Sequence, residues 1–340
     1  MASGKPREHN LHVRINLDVF SYKTVSEEIP LIDFAPFREG DAATRCAIAL
    51  LIYHACHEIG FVYLKHPGID SDSIAKTFEY SRKLFDLPLP EKNKVAWSDE
   101  LSNRGYIGME RERLDESKPG DLKEAYNIGS EIDPTLVNTA QPSLSYNRWL
   151  EGDEKFRQTM LEFFSACNDV AKEISRAMAI ALNLPEDFFV NNHSQQDNTL
   201  RLLHYPPIDR TPEPEQLRAG EHSAYGSFTL LFQDTVGGLE VRNAAGKWIE
   251  APFIPETILV NTGDLMQRWT NHVFRSTKHR VRIPQDITAK QSRYSIAYFC
   301  HPNPDTEISC LKTCQSIVRP PLYPPITAGD YLISRLKVTY

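Results

Sequence analysis

The segment that decides the fold is Gly-Glu-His-Ser-Ala-Tyr-Gly at residues 220–226, which runs directly into the apolar stretch Ser-Phe-Thr-Leu-Leu-Phe at 227–232. Short segments rich in β-forming residues dominate the chain from residue 198 onward, and turn residues separate them. Short strands at regular spacing are typical of a sandwich or a barrel. The predicted strands cover residues 199–205, 221–232, 238–242, 247–250, 257–261, 278–283 and 293–300.

The first half of the sequence has mainly helical periodicity. Apolar residues recur at i, i+3 and i+4 most clearly over 153–183, where Asp153 suits the N-cap and Pro185 stops the helix. Two more helices are predicted at 41–59 and 73–85. Short strands are predicted at 29–34, 61–64 and 123–128, an extended arm at 11–20, a loop over the site at 93–120, and a last amphipathic segment ending at Tyr340.

The domain organisation follows from this change from helical periodicity to short strand-forming segments. We predict an N-terminal arm at 1–28, a mostly helical region at 29–195, and a β-rich core with a C-terminal segment at 196–340. No segment has the composition of a flexible linker, so these parts are expected to form one compact unit.

The composition excludes several classes of function. With 340 residues, 41% hydrophobic and 24% charged, the chain has the composition of a globular protein. A formal net charge of −7 without a basic tract argues against binding to nucleic acid. No apolar run is long enough for a membrane span, and the polar residues 1–10 lack a signal-peptide core. A cytoplasmic protein with free cysteines is therefore expected.

The chemistry centres on two histidines. Non-haem iron that activates oxygen takes two histidines and one carboxylate on one face. On a strand, residues i and i+2 point the same way, so His222 and position 224 share a face, with His279 as the distal ligand. Position 224 is alanine. Further on, Arg293 and Ser295 are again i and i+2, and a guanidinium with a hydroxyl suits the remote carboxylate of 2-oxoglutarate.

The chain resembles the isopenicillin-synthase-like group of iron- and 2-oxoglutarate-dependent dioxygenases, in particular its fungal thymine-hydroxylase-like members. The motifs that carry the resemblance lie at 29–34, 201–206, 220–234, 237–241, 261–269, 276–281 and 293–300. The resemblance implies a double-stranded β-helix, or jelly-roll, core with an N-terminal helical region. It also implies that oxygen and 2-oxoglutarate are consumed, with release of succinate and carbon dioxide.

Carried over to this sequence, the resemblance assigns His222 and His279 as Fe(II) ligands, and Arg293, Ser295 and Tyr205 as 2-oxoglutarate-binding residues. The expected substrate is a small molecule, anionic or bearing a carbonyl group. The residues predicted to line its site are Asn103, Arg104, Tyr106, Arg201 and Trp269. Glu221 should point to the opposite face from His222, and Asp264 is expected to be structural.

Ala224 leaves three accounts open, because alanine cannot bind iron. In the first, the protein is a hydroxylase-type oxygenase with an impaired metal site. In the second, it is a halogenase, in which chloride occupies the place of the carboxylate and is transferred to the substrate. In the third, it is a non-catalytic binding protein, against which the intact Arg293-x-Ser295 and both histidines argue.

Overall fold

The computed structural model describes residues 27–97, 103–115, 117–131, 146–285 and 287–339, so the arm predicted at 11–20 lies outside the described residues. The helices of this part are α1 Ala35–Glu39, α2 Ala42–Glu58, α3 Ser71–Phe85, α4 Leu89–Lys94, α5 Glu154–Ala181, α6 Phe188–Asn192, α7 Asp264–Trp269 and α8 Ala328–Thr339. Among the residues described, no helix is both long enough and apolar enough to cross a bilayer.

The strands fall mainly in the second half of the chain. They are β1 Leu31–Asp33, β2 Phe61–Lys65, β3 Gly105–Ile107, β4 Glu124–Ile128, β5 Thr199–Tyr205, β6 Ala219–His222, β7 Phe228–Gln233, β8 Leu239–Arg242, β9 Trp248–Glu250, β10 Thr257–Thr262, β11 His279–Val281, β12 Arg293–Cys300, β13 Glu307–Ile308 and β14 Ile326–Thr327.

These strands form the jelly-roll core that was predicted. The larger sheet has the order β1-β2-β10-β7-β12-β5-β4-β3, and the smaller has the order β6-β11-β8-β9. The first half of the chain supplies both edges of the larger sheet, β1-β2 at one side and β4-β3 at the other. The segment at 93–120, predicted as a loop, therefore contains a strand as well, because Tyr106 pairs with Tyr126 of β4.

The two faces of the larger sheet bury two separate cores. Successive strand residues alternate between faces, so Leu202 and Ile296 join the core beneath the helices, while Leu203 and Ala297 face the smaller sheet. The long helix α5 covers the helical side with a stripe that includes Phe163 and packs against α2 and α3. The cavity described below opens between the two sheets.

The helix boundaries follow from local capping, as the sequence predicts. The side chain of Asp153 accepts a hydrogen bond from the backbone N–H of Phe156 at 3.1 Å, which satisfies a free donor at the start of α5. Asp41 caps α2 in the same way through Thr44 at 2.9 Å.

The strand predicted at 221–232 is wrong in one respect, because the chain forms two strands here. β6 belongs to the smaller sheet and β7 to the larger one, and residues 223–227 make the turn between them. The turn packs so closely that a Cβ on Gly226 would lie 2.6 Å from the carbonyl oxygen of Cys300. Two adjacent sheets are thereby joined directly beside His222.

Candidate active site

A cavity of about 500 Å³ lies between the two sheets. Apolar residues of both sheets form much of its wall, and helix α8 closes one side. The apolar lining includes Leu203, Leu231, Ala297, Phe299, Ala219, Leu239 and Val281 from the sheets and Leu332, Ile333 and Leu336 from α8.

His222 and His279 meet in this cavity on neighbouring antiparallel strands. They are direct partners in the β6–β11 register, and their ring centroids lie 4.3 Å apart. Each Nδ1–H donates to a backbone carbonyl, that of Gly220 at 2.8 Å for His222 and that of Thr277 at 3.0 Å for His279. A carbonyl can only accept, so the Nε2 lone pair of each ring is left for a metal.

Both imidazoles are held in the neutral form that a metal requires. Desolvation lowers the pKa of His222 well below its usual value, and the neighbouring His279 lowers it further. Desolvation also lowers the pKa of His279, although its hydrogen bond to the backbone and the charge of Asp264 act in the opposite direction. Neutral histidine is the metal-binding form, so neither ring has to lose a proton first.

Ala224 lies in the turn after β6, and its methyl group leaves the pair of histidines without a third protein ligand. Among the described residues, no group of three His, Cys, Asp or Glu side chains could hold a metal. Glu221 points away, as predicted, and pairs with Lys278 at 2.9 Å and Arg242 at 3.2 Å. Among the described residues, the candidate metal site therefore offers two imidazoles.

Arg293 is brought together with Ser295 and Tyr205, as the sequence predicts. Arg293 is 1% exposed, its NH1 donates to Ser295 Oγ at 3.2 Å, and its guanidinium carbon lies 4.7 Å from the centroid of the Tyr205 ring. NH2 donates to Gln233 Oε1 at 3.1 Å, and Nε has no hydrogen-bond partner in the part of the chain described. A buried guanidinium with a free donor and no carboxylate suits an anionic ligand.

Comparison with known proteins identifies the family. A model described as "non-haem dioxygenase in morphine synthesis N-terminal" matches residues 29–152, and the model of the 2OG-Fe(II) oxygenase superfamily matches 185–302. The UPF0676 protein C1494.01 of Schizosaccharomyces pombe is 36% identical over 93% of this chain and 94% of its own length. The chain belongs to the 2OG-Fe(II) oxygenase superfamily.

Solved structures of this superfamily agree with the fold. The thymine-7-hydroxylase of Neurospora crassa, in complex with alpha-KG and thymine, has a TM-score of 0.83 and 38% identity, covering 92% of this chain and 97% of its own. A putative 2OG-Fe(II) oxygenase family protein from Caulobacter crescentus has a TM-score of 0.81 and 29% identity, covering 92% and 99%. Fe(II) is the metal of the superfamily, and 2-oxoglutarate and oxygen are its co-substrates.

Three of the predicted substrate residues of this oxygenase line the cavity: Asn103, Arg104 and Arg201. The other two lie elsewhere. Tyr106 donates to Glu124 Oε2 at 2.5 Å in the core beneath the helices. Trp269 packs against Phe188 and Phe189 in the same core. Both aromatics therefore stabilise the helical side of the oxygenase and do not line the cavity.

Arg201 is already neutralised by the protein. Its NH1 lies 2.9 Å from Glu112 Oε1, its Nε donates to Asn127 Oδ1 at 2.7 Å, and Glu112 also pairs with Lys123 at 3.0 Å. Burial alone would raise the pKa of Glu112, but the charges of Arg201 and Lys123 hold it well below its usual value. Arg201 therefore offers the substrate no uncompensated positive charge.

The sequence did not indicate three polar residues in the region of Arg293. Gln233 accepts a hydrogen bond from Arg293, and the Nδ2 of Asn261 has no hydrogen-bond partner within the described ranges. Arg218 is fully buried and donates to the carbonyl oxygen of Gln291, two residues before Arg293. The β7–β12 register that sets Gln233 opposite Ser295 links distant parts of the chain. The one local signal was the charge of Arg218 immediately before the buried start of β6.

Asp264 joins the metal-site segments to helix α8, which makes it structural, as predicted. Its carboxylate accepts hydrogen bonds from Ser223 at 3.1 Å, Ser276 at 2.5 Å and Tyr331 of α8 at 3.1 Å. Its backbone N–H donates to Ala224 O at 2.7 Å. Helix α8 is thereby tied to the turn after His222 and to the segment before His279.

We expect Tyr331→Phe to loosen helix α8. Losing one hydrogen bond to a charged acceptor costs about 1.5–3 kcal/mol. Amide hydrogen exchange in α8 should accelerate, and urea denaturation should give the loss of stability. Tyr63→Phe is the matched control, because it removes a buried tyrosine hydrogen bond, to Pro252 O at 2.6 Å, far along the chain from α8. Equal α8 exchange in wild type and Tyr331→Phe would contradict the role given to Asp264.

Proposed function

We propose that this oxygenase oxidises a C–H bond of a small molecule at an Fe(II) site with two protein ligands. The observation that carries the proposal is the pair of neutral imidazoles, His222 and His279, with free Nε2 atoms in the cavity that Arg293 also lines. The two histidines would hold the iron. Arg293, Ser295 and Tyr205 would bind the distal carboxylate of 2-oxoglutarate.

The donor set fits the cofactor and co-substrate of the superfamily. When bound, the iron and 2-oxoglutarate supply oxygen activation, with release of succinate and carbon dioxide. The chain itself orients both imidazoles through the carbonyls of Gly220 and Thr277, and burial favours their neutral form. It also limits access of water to the site through the apolar cavity wall and α8.

Ala224 also leaves room for a second outcome at the same site. Two neutral imidazoles leave the charge of a divalent metal uncompensated where a carboxylate would have reduced it. Chloride would restore the missing charge, and the substrate would then receive chlorine in place of a hydroxyl group. Without chloride at this position, the same alanine predicts weak iron binding and impaired hydroxylation. We propose impaired hydroxylation as the main function and halogenation as the alternative.

The substrate is proposed to be small, uncharged and carbonyl-bearing. One structural neighbour was solved in complex with thymine, and a relative from Petromyces alliaceus is named proline hydroxylase. In this chain Glu112 neutralises Arg201, so the part of the wall around Arg201 favours a polar uncharged group over a second anion. Phe299, whose ring lies 5.7 Å from the Arg201 guanidinium carbon, adds an aromatic face to this wall.

The experiment supplies the purified chain with Fe(II), 2-oxoglutarate, oxygen and thymine, with and without chloride. We expect succinate release that depends on a substrate. Mass spectrometry of the product distinguishes hydroxylation, which adds one oxygen atom, from chlorination, which replaces a hydrogen atom with chlorine. His279→Ala is the control and should abolish turnover. Turnover at the wild-type rate in His279→Ala would contradict the metal site. A chlorinated product would select the halogenase.

A further inference from the structure

Arg218 and Arg293 are two buried arginines that meet at the start of β12, because Arg218 NH2 donates to the carbonyl oxygen of Gln291, two residues before Arg293. Arg218 is 0% exposed and Arg293 is 1% exposed. They lie close enough that, after burial, the charge of Arg293 is the next cause that lowers the pKa of Arg218. Tyr205 and Asp234 act in the opposite direction.

Only part of the Arg218 guanidinium is used by the protein. Its NH2 donates to the carbonyl oxygen of Gln291 at 2.9 Å and reaches that of Ala289 at 3.4 Å, which holds the chain that enters β12. Its Nε and NH1 have no hydrogen-bond partner within the part of the chain described, and the same is true of Arg293 Nε. Three buried donor nitrogens are left.

Such a pair is costly without an anion. Buried charges are normally matched by a partner, and two like charges in a low-dielectric interior repel. Asp234 is the acid whose charge reaches Arg218, but its carboxylate accepts from the backbone N–H groups of Val236 and Tyr294. A bound carboxylate would neutralise charge and occupy free donors together, since guanidinium groups match carboxylates in a bidentate geometry.

We propose that Arg218 is a second binding residue for the distal carboxylate of 2-oxoglutarate, beside Arg293. This inference rests on the proposed function, because it assigns a residue to the same co-substrate. A purely structural role, in which Arg218 holds the backbone of Ala289 and Gln291, involves NH2 alone. It does not explain why Nε and NH1 are buried without a hydrogen-bond partner among the described residues.

The test compares two ligands that differ in the distal carboxylate. The full chain is loaded with Mn(II) and titrated calorimetrically with 2-oxoglutarate and with 2-oxobutyrate, which keeps the 2-oxo acid but ends in a methyl group. For Arg218→Met we expect 2-oxoglutarate affinity to fall about 10- to 100-fold, since hydrogen bonds to a charged group are lost. The affinity for 2-oxobutyrate should stay within about twofold, because the ligand cannot reach Arg218.

The control is Arg282→Met. Arg282 is paired with Glu250 at 2.6 Å and Glu240 at 3.3 Å, so its loss should leave the ratio of the two affinities unchanged. An unchanged 2-oxoglutarate affinity in Arg218→Met would overturn the proposal. An equal loss for both ligands would also overturn it, because it would show that Arg218 only braces the fold.

Arg218→Lys keeps the test decisive if the methionine variant does not fold. Lysine retains the charge but not the planar fork, so the preference for 2-oxoglutarate over 2-oxobutyrate should fall about threefold or more. A preference equal to that of wild type would overturn the proposal. Failure of the wild-type chain to bind 2-oxoglutarate is a different result, which contradicts the proposed function and removes the basis of this inference with it.

Discussion

Ala224→Asp is expected to raise the affinity of the site for Fe(II) or Mn(II) by about 100-fold or more. Groups that merely orient metal ligands are worth about 10- to 100-fold in metal affinity, so a direct carboxylate ligand should add at least the upper end of that range. Position 224 is two residues after His222 in the turn between β6 and β7. The measurement is anaerobic metal titration, followed by succinate release under saturating metal.

Ala224→Asn is the matched control, because asparagine has the shape of aspartate without its charge. The aspartate variant should bind metal far more tightly than the asparagine variant, and hydroxylation should rise with it. If the native site is a halogenase, Ala224→Asp should instead remove chloride dependence and any chlorinated product. Equal metal affinity in Ala224→Asp and Ala224→Asn would show that residue 224 does not face the metal.

The strands could be predicted because their signals are local, whereas the jelly-roll arrangement was implied by the resemblance to the family. The segments at 199–205 and 293–300 match β5 and β12, whose residues alternate between two buried faces. The turn inside 221–232 could not be predicted from the sequence, because an apolar stretch does not show where the chain passes from one sheet to another. Gly226 was the local indication of the turn. A glycine is needed there because the backbone of Cys300, distant in sequence, leaves no room for a Cβ.

The substrate wall could be predicted only in part, for a similar reason. Trp269 ends the family motif at 261–269, and Tyr106 lies in the segment predicted as a loop over the site, but the core that each one joins depends on tertiary packing. Arg201 does line the cavity, yet the anionic substrate it suggested is disfavoured by a glutamate far away in sequence, Glu112. Charge balance in a cavity is a property of the folded chain.

Arg293→Met is expected to weaken 2-oxoglutarate binding by more than about 100-fold. Removing one partner of a buried charge pair costs about 3–5 kcal/mol, which corresponds to more than about 100-fold in affinity. Calorimetric titration of the Mn(II)-loaded chain gives the value. Arg280→Met is the matched control, since Arg280 on β11 pairs with Glu240 at 2.7 Å and should leave binding unchanged. A loss below about tenfold would contradict the carboxylate site.

The double variant Arg218→Met/Arg293→Met then shows whether the two arginines bind one carboxylate. Groups that share a partner give changes in free energy that do not add, whereas independent sites add within about 0.3–0.5 kcal/mol. If both guanidiniums bind the same carboxylate, each single change leaves the other to compensate, and the double change should cost more than the sum. Strict additivity would leave Arg293 as the carboxylate-binding residue and make Arg218 a brace for the chain entering β12.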